Sequence, residues 1–324
     1  MKTNHKRPFR ILALDGGGIK GVFAAAFLAE VERMTGKRVA DHFDLITGTS
    51  TGGIIAIGLG LGLPATEILG FYVKHGPAIF PSVGVHVRSW RWLRWLLCGK
   101  HDPAPLRAAL HEVFGDRKLG DSKTRLVIPA FNVLDGSIAL FKTAHCDRFK
   151  QDYLRRCVDV ALATSAAPTY LPAHNIGDGR IYLDGGVWAN NPIMVGVVEA
   201  IVNVGQRPDQ IDVLNIGTTE EPFHVPDKLR SRGGAWGWRK KLAPLFMQAQ
   251  ADGAAKQAAI LLGEAPYRVN PVVQAARFSL DDARQISDLR GLGVDRARHE
   301  ERFVSERFLC SAATGFTPCL PLPA

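Results

Sequence analysis

The chain has 324 residues, 46% of them hydrophobic, and no low-complexity tract, long polar linker or internal repeat, which favours one main domain with elaborations over a string of modules. Five scattered cysteines, Cys98, Cys146, Cys157, Cys310 and Cys319, lack the close pairs of a zinc site or a secreted disulfide scaffold and read as thiols in a reducing compartment. Forty Lys and Arg against 31 Asp and Glu give a formal charge of +9, which favours anionic partners such as phospholipid headgroups, nucleotides or nucleic acid without choosing among them.

The basic N-terminus leads into an apolar run that ends at Asp15, too short for a signal-peptide core. The longest apolar tracts, 52–64 and 193–204, are broken by glycines or by Glu199 and fall short of a bilayer span, so a soluble, cytoplasmic protein is expected. Arg10 to Leu14 reads as a first strand, followed by Asp15-Gly16-Gly17-Gly18-Ile19-Lys20-Gly21 and a periodic helix from about Val22 to Met34. Gly16, Gly18 and Gly21 fit the Gly-x-Gly-x-x-Gly fingerprint, so a dinucleotide site, redox or non-catalytic, is one reading. Its usual acidic partner closes the second strand, whereas here Asp41 and Asp44 precede or open the next apolar run.

That run ends in Gly48-Thr49-Ser50-Thr51-Gly52 and continues as an apolar helix. A serine at such a corner is forced outward while the helix amides converge on the same point, which suits a nucleophile. Successive glycine amides in the loop before it, unobstructed by Cβ atoms, suit an oxyanion site. Further on, 64–80 reads as a helix stopped by Gly76-Pro77. Between Val87 and Lys100, Trp90, Trp92, Leu93, Leu96 and Leu97 share one helical arc, with Arg88, Arg91 and Arg94 opposite and Trp95 among them. That pattern suits an interfacial membrane helix or a lid, or equally a core-packed helix with snorkelling arginines, and it places a cap at about 76–105. Base stacking on single-stranded nucleic acid fits it less well, because the aromatics are not spread over a sheet face.

A short helix is expected at Leu106–Phe114, then paired strands at 126–133 and 138–143 around a turn at Asp135-Gly136. A helix at Tyr153–Ala163 runs into the rigid turn 164–172, and a strand at Arg180–Leu183 delivers Asp184-Gly185-Gly186, a carboxylate at a strand end. Asn190-Asn191-Pro192 opens the next helix, and Ile211–Ile216 reads as the last core strand. The basic stretch 228–241, with Trp236 and Trp238, reads as a solvated loop; 267–309 reads as helical scaffold, within a C-terminal elaboration at 219–310.

Three motifs in this order, Asp15-Gly-Gly-Gly-Ile-Lys-Gly21, Gly48-Thr-Ser-Thr-Gly52 and Asp184-Gly-Gly186, with the turn SAAPTYLP, resemble the patatin-like phospholipase family from about Phe9 to Thr218. The resemblance implies a three-layer α/β fold with a central, mostly parallel sheet and a serine-aspartate dyad that hydrolyses acyl esters through an acyl-enzyme, with neither cofactor nor metal. It makes Ser50 the nucleophile, Asp184 the base and the Gly16, Gly17 and Gly18 amides the oxyanion hole, with Lys20, Gly48, Gly52, Gly185 and Gly186 in support. Without a histidine, Asp184 at its ordinary pKa is a feeble base at neutral pH, so the chemistry needs a partly desolvated site that raises it. An α/β-hydrolase triad would instead need His224 or His299, which lie outside any strand-end context. The tracts Gly58-Leu-Gly-Leu-Gly-Leu-Pro64, YVKHGPAIF and FSLDDARQISDLRGLG are similar to bacterial patatin-like effectors of cyclic-oligonucleotide antiphage signalling. That similarity implies degradation of membrane phospholipids at the inner face, switched on by a cyclic dinucleotide such as cyclic GMP-AMP, with no nucleic acid polymer as partner. The alternative is an unregulated general lipid esterase.

Overall fold

Every residue of the first strand, β1 (Phe9–Leu14), is buried, and its apolar side chains divide between two layers: Leu12 and Leu14 join the larger core, and Phe9, Ile11 and Ala13 the smaller. A strand apolar on both faces belongs inside a sheet covered on both sides. The computed structural model, which describes residues 7–81, 100–222, 242–275 and 277–323 with positions 227, 234 and 238, has this arrangement. The strands after β1 are β2 (Leu45–Gly48), β3 (Arg125–Asn132), β4 (Ser137–Lys142), β5 (His174–Asn175), β6 (Ile181–Asp184), β7 (Ile211–Ile216) and β8 (Tyr267–Val269). They form one sheet in the order β5-β6-β3-β2-β1-β7-β8, with β4 also beside β3. The run from β3 through β8 is parallel; β4, β5 and β6 join antiparallel.

Among the described residues the helices of eight residues or more are α1 (Gly21–Thr35), α2 (Thr51–Gly60), α3 (Ala65–Ile79), α4 (Pro103–Phe114), α5 (Cys157–Thr164), α6 (Ile193–Val202), α7 (Leu242–Leu262) and α8 (Ile286–Phe308). Side chains from α1 to α5 and α8 fill the larger core, while α6 and α7 cover the other face through Ile193, Val197, Ala200 and Ala258. The result is three layers, helices on both sides of a mostly parallel sheet. α8 crosses α1 closely because Gly293 has no side chain: a Cβ there would stand 2.5 Å from the Phe23 carbonyl oxygen.

The pairing of β3 decides where the strand ends meet. Along Val127–Asn132 one edge of β3 is taken by β4. The other edge is shared: β2 pairs with Arg125–Val127, and β6 pairs with Ala130–Asn132 in the opposite direction. β2 and β6 therefore lie in one lane with their C-terminal ends pointing at each other. Between them Ile128 and Pro129 face no strand on that edge. A strand residue's N and O point to the same edge, so the donor that Pro129 lacks would have faced this gap and no ladder bond is forfeited.

Three expectations are corrected. α3 is not stopped by Gly76-Pro77 but continues to Ile79 with Pro77 inside it. Pro77 has no N–H to offer the Val73 carbonyl, so the last turn holds with one bond fewer, and Gly76 makes room for Ile19 and Ile286, whose Cδ1 atoms lie 3.1 and 2.8 Å from where its Cβ would be. The helix expected at 153–163 begins only at Cys157, preceded by a 3-10 turn at Asp152–Leu154, because Arg155 and Arg156 are extended. Ile211–Ile216 is not the last core strand, since Tyr267–Val269 adds β8 alongside it. The segment carrying Trp90, Trp92, Leu93 and Leu96 lies outside the described residues, as does His224. Among the described residues no helix is long and apolar enough to cross a membrane.

Candidate active site

Ser50 sits in the turn between β2 and α2 with φ 55° and ψ −123°, a conformation that strains any residue bearing a Cβ. The glycines around it permit the tight corner. A Cβ on Gly48 would lie 2.1 Å from the Gly52 carbonyl oxygen, and one on Gly52 would lie 2.3 Å from the Leu14 carbonyl oxygen. The corner is pinned by Thr164 at the end of α5: its hydroxyl accepts from the Ser50 amide at 3.0 Å and donates to the Pro129 carbonyl at 2.6 Å, filling the gap beside β3. The first amides of α2 have no partner within the helix, and among the described residues they donate to no backbone acceptor outside it, which suits an anion.

Asp184, the last residue of β6, comes down the same lane opposite Ala130. It is 5% exposed, and burial pushes its carboxyl up to about 6. The hydrogen bond from the Gly186 amide, at 2.7 Å, and the neighbouring Ser50 hydroxyl pull the other way without cancelling the effect. The Gly185 amide donates to the Thr164 carbonyl at 3.2 Å, so one threonine braces both sides of the site. Gly185 itself lies against Pro129, where a Cβ would stand 2.4 Å from the carbonyl oxygen.

The glycine loop completes the arrangement. Gly16 touches the serine: a Cβ there would be 3.3 Å from Ser50 Cβ and 2.7 Å from Asn190 Oδ1. The Gly16 amide already donates to the Asn190 carbonyl at 2.9 Å, so it is committed to the scaffold. The amides of Gly17 and Gly18 donate to no backbone acceptor among the described residues. Gly17 abuts Thr218, whose hydroxyl donates to the Gly16 carbonyl at 3.2 Å, and Gly18 has φ +57°. Lys20 is half-buried, and desolvation lowers its ammonium against the opposing field of Glu221.

Beneath the loop lies a polar network that sequence reasoning missed. Asp15, 4% exposed, receives Arg268 Nη2 at 2.7 Å and Asn215 Nδ2 at 2.9 Å. Asn191 Nδ2 in turn donates to Asn215 Oδ1 at 3.0 Å, and Arg268 Nη1 reaches the same oxygen. Removing the cation would leave a buried carboxylate at the head of the glycine loop. Arg268→Met is therefore expected to lower the unfolding free energy by about 3 kcal/mol, and Arg268→Lys to recover part of it, in urea titrations. Equal stability of all three proteins would show that the pair is dispensable.

Among the described residues the rival constellations are not assembled. His299 is exposed on α8 and bonded along its own helix to the Asp295 carbonyl. Gly16, Gly18 and Gly21, the three glycines of the dinucleotide fingerprint, make room for Ser50 and Asn190, for the Leu280 carbonyl and for Thr51 respectively. Among the described residues no group of three or more His, Cys, Asp or Glu side chains is placed to hold a metal ion.

The model of the patatin-like phospholipase family matches residues 12–197, and the chain belongs to that family. It is 39% identical over 244 residues to a protein of Pseudomonas aeruginosa (strain BWHPSA011 / Pa011) described as a cGAMP-activated phospholipase, covering 75% of this chain and 72% of the relative. A protein of Vibrio cholerae serotype O1 with the same description is 36% identical over 271 residues, 76% of each chain. Among solved structures, VipD from Legionella pneumophila aligns with 92% of this chain and 67% of its own at a TM-score of 0.47 and 12% identity.

Proposed function

We propose that the chain hydrolyses carboxylic ester bonds of membrane phospholipids, with Ser50 as nucleophile and Asp184 as base. The observation that carries this reading is a buried carboxyl, raised to about 6 and facing a serine held at φ 55°. Asp184 takes the hydroxyl proton as Ser50 Oγ attacks the ester carbonyl. The amides of Gly17 and Gly18 and the start of α2 receive the tetrahedral oxyanion, each well-placed donor contributing on the order of 3–4 kcal/mol. Collapse expels the alcohol, which takes the proton from Asp184. Water, deprotonated by Asp184, then attacks the acyl-enzyme; collapse releases the fatty acid, and Ser50 Oγ takes the proton back from Asp184. Gly16 serves by being small; Gly48, Gly52, Gly185 and Gly186 shape the two corners, and Lys20 supports the loop. Every step uses groups of this chain.

Activation follows from the relatives. Two proteins with this much identity are described as cGAMP-activated phospholipases, so hydrolysis by this chain is switched on by a cyclic dinucleotide such as cyclic GMP-AMP. The charge of +9 suits both that ligand and an anionic membrane face, where Trp90, Trp92, Leu93 and Leu96 supply the apolar contact. The test incubates vesicles of bacterial phospholipids with the protein, with and without each cyclic dinucleotide, and measures released fatty acid and lysophospholipid. Release that needs a cyclic dinucleotide and disappears without Ser50 is expected. Equal release with no nucleotide would leave a general lipid esterase, and release that survives loss of Ser50 would end the acyl-transfer reading.

A further inference from the structure

The segment leading into α8, whose tract FSLDDARQISDL runs on into the helix, touches the glycine loop through its backbone. The Ile19 amide donates to the Leu280 carbonyl at 2.9 Å, and a Cβ on Gly18 would stand 2.1 Å from that same oxygen. Leu280 O thus bears on the middle of the loop, beside the Gly17 and Gly18 amides that donate to no backbone acceptor among the described residues. The next residue, Asp281, is anchored. Its carboxylate accepts from His101 Nε2 at 2.9 Å, from Lys100 Nζ and from Ser279 Oγ at 3.0 Å. Burial alone would raise this carboxyl, but the bonds from His101 and Lys100 outweigh it and hold the group well below the usual carboxylate range. The anchor stays charged at neutral pH.

The other end of this contact is equally fixed. The Lys100 and His101 amides donate to the Thr169 and Tyr170 carbonyls at 3.0 and 2.8 Å, and the His101 ring stacks on Tyr170. Thr169 and Tyr170 belong to the turn that starts beside Thr164, which holds the Ser50 amide. A closed circuit therefore runs from Ser50 through Thr164, the turn, His101, Asp281 and Leu280 back to Gly18 and Ile19. We propose that Asp281 is a positioning residue for the acyl-transfer reaction: clamped by His101 and Lys100, it holds the Leu280 carbonyl against Gly18 and Ile19 and so aligns the Gly17 and Gly18 amides with the oxyanion formed at Ser50. The inference rests on the acyl-transfer reading of Ser50 and Asp184. It assigns a role to a tract more than two hundred residues from the loop it supports.

The experiment compares wild type, Asp281→Ala and Asp281→Asn on a soluble ester and on its thionoester, under the conditions in which wild type is active. Amide hydrogen exchange is followed over 16–21 in the same proteins. Misplacing an oxyanion donor lowers kcat without weakening ground-state binding, and it erodes the preference for oxygen over sulfur at the carbonyl. Asp281→Ala is expected to lose roughly 10- to 100-fold in kcat with KM within about twofold, and to shrink the oxo/thiono ratio about tenfold. Exchange in the loop should quicken about tenfold, and Asp281→Asn, which still accepts from His101, should recover most of the kcat. An unchanged oxo/thiono ratio, however far kcat falls, or unchanged loop exchange, would overturn the proposal. Lys100→Met carries the same readouts if Asp281→Ala does not fold. If wild type shows no hydrolysis that depends on Ser50, the acyl-transfer reading fails, and the exchange data still decide whether Asp281 holds the loop.

Discussion

Replacing Ser50 by alanine is expected to lower kcat for ester hydrolysis at least about 10⁴-fold while leaving the protein folded. The hydroxyl is the only group removed, and the Ser50 amide keeps its bond to Thr164, so the corner has no reason to move. Alanine also keeps the Cβ and with it the strain of φ 55°, so its unfolding free energy should match that of wild type closely. Ser50→Gly offers a sharper comparison. Glycine occupies this region freely, and relief of the strain, set against the extra chain entropy it brings, should leave that variant more stable than Ser50→Ala by about 1 kcal/mol. Both variants should be inactive in fatty-acid release assays, and both should melt cooperatively. Residual hydrolysis within tenfold of wild type in either one would remove Ser50 from the reaction.

Asp184→Asn should reduce kcat roughly 10³-fold and at the same time stabilise the fold at neutral pH. The base must be ionised to take the serine proton. With its carboxyl at about 6, wild-type kcat should rise about tenfold per pH unit below that point and level off above it. Stability runs in the opposite sense. Burial raises the folded value from 3.8 to about 6, so between these pH values the folded chain keeps a proton that the unfolded chain has released. Stability therefore falls as pH rises through the window, by up to about 3 kcal/mol, and stays lower above it. Asparagine keeps an oxygen for the Gly186 amide and carries no charge, so the variant should out-melt wild type at pH 7.5 and match it near pH 3.5. Thermal unfolding at the two pH values checks this. A variant no more stable at pH 7.5 would mean that the carboxylate is not desolvated.

Much of this site could be read from residue order. Gly48 and Gly52, flanking Ser50, announce a corner because no other residue type fits the 2.1 and 2.3 Å approaches found there, and Asp135-Gly136 announces the turn between β3 and β4. β1 gave itself away by being apolar on both faces. Other contributors left no local trace. Arg268 pairs with Asp15 across 253 positions, and no spacing rule links them. β8 is three residues long, and Tyr-Arg-Val carries too little periodicity to stand out beside the charged helices around it. Leu280 acts through its carbonyl oxygen, a group every residue has. Thr164 was visible only as the start of a turn, since its value depends on the Pro129 carbonyl and the Ser50 amide arriving on either side. What escapes the sequence here is pairing at a distance and work done by the backbone.

The shared lane beside β3 has one further consequence. Because β2 and β6 point at each other along one edge, the spacing between the proposed nucleophile and base is measured out by Ile128 and Pro129. Adding two residues to that interval would lengthen it by about 6.6 Å, beyond the reach of any side-chain adjustment, and adding one would turn Asp184 to the wrong face of the sheet. The connections that lead into β2 and β6 carry no such constraint. A lineage can lengthen, trade or redecorate those loops and keep its chemistry, but the interval in β3 has to be inherited whole.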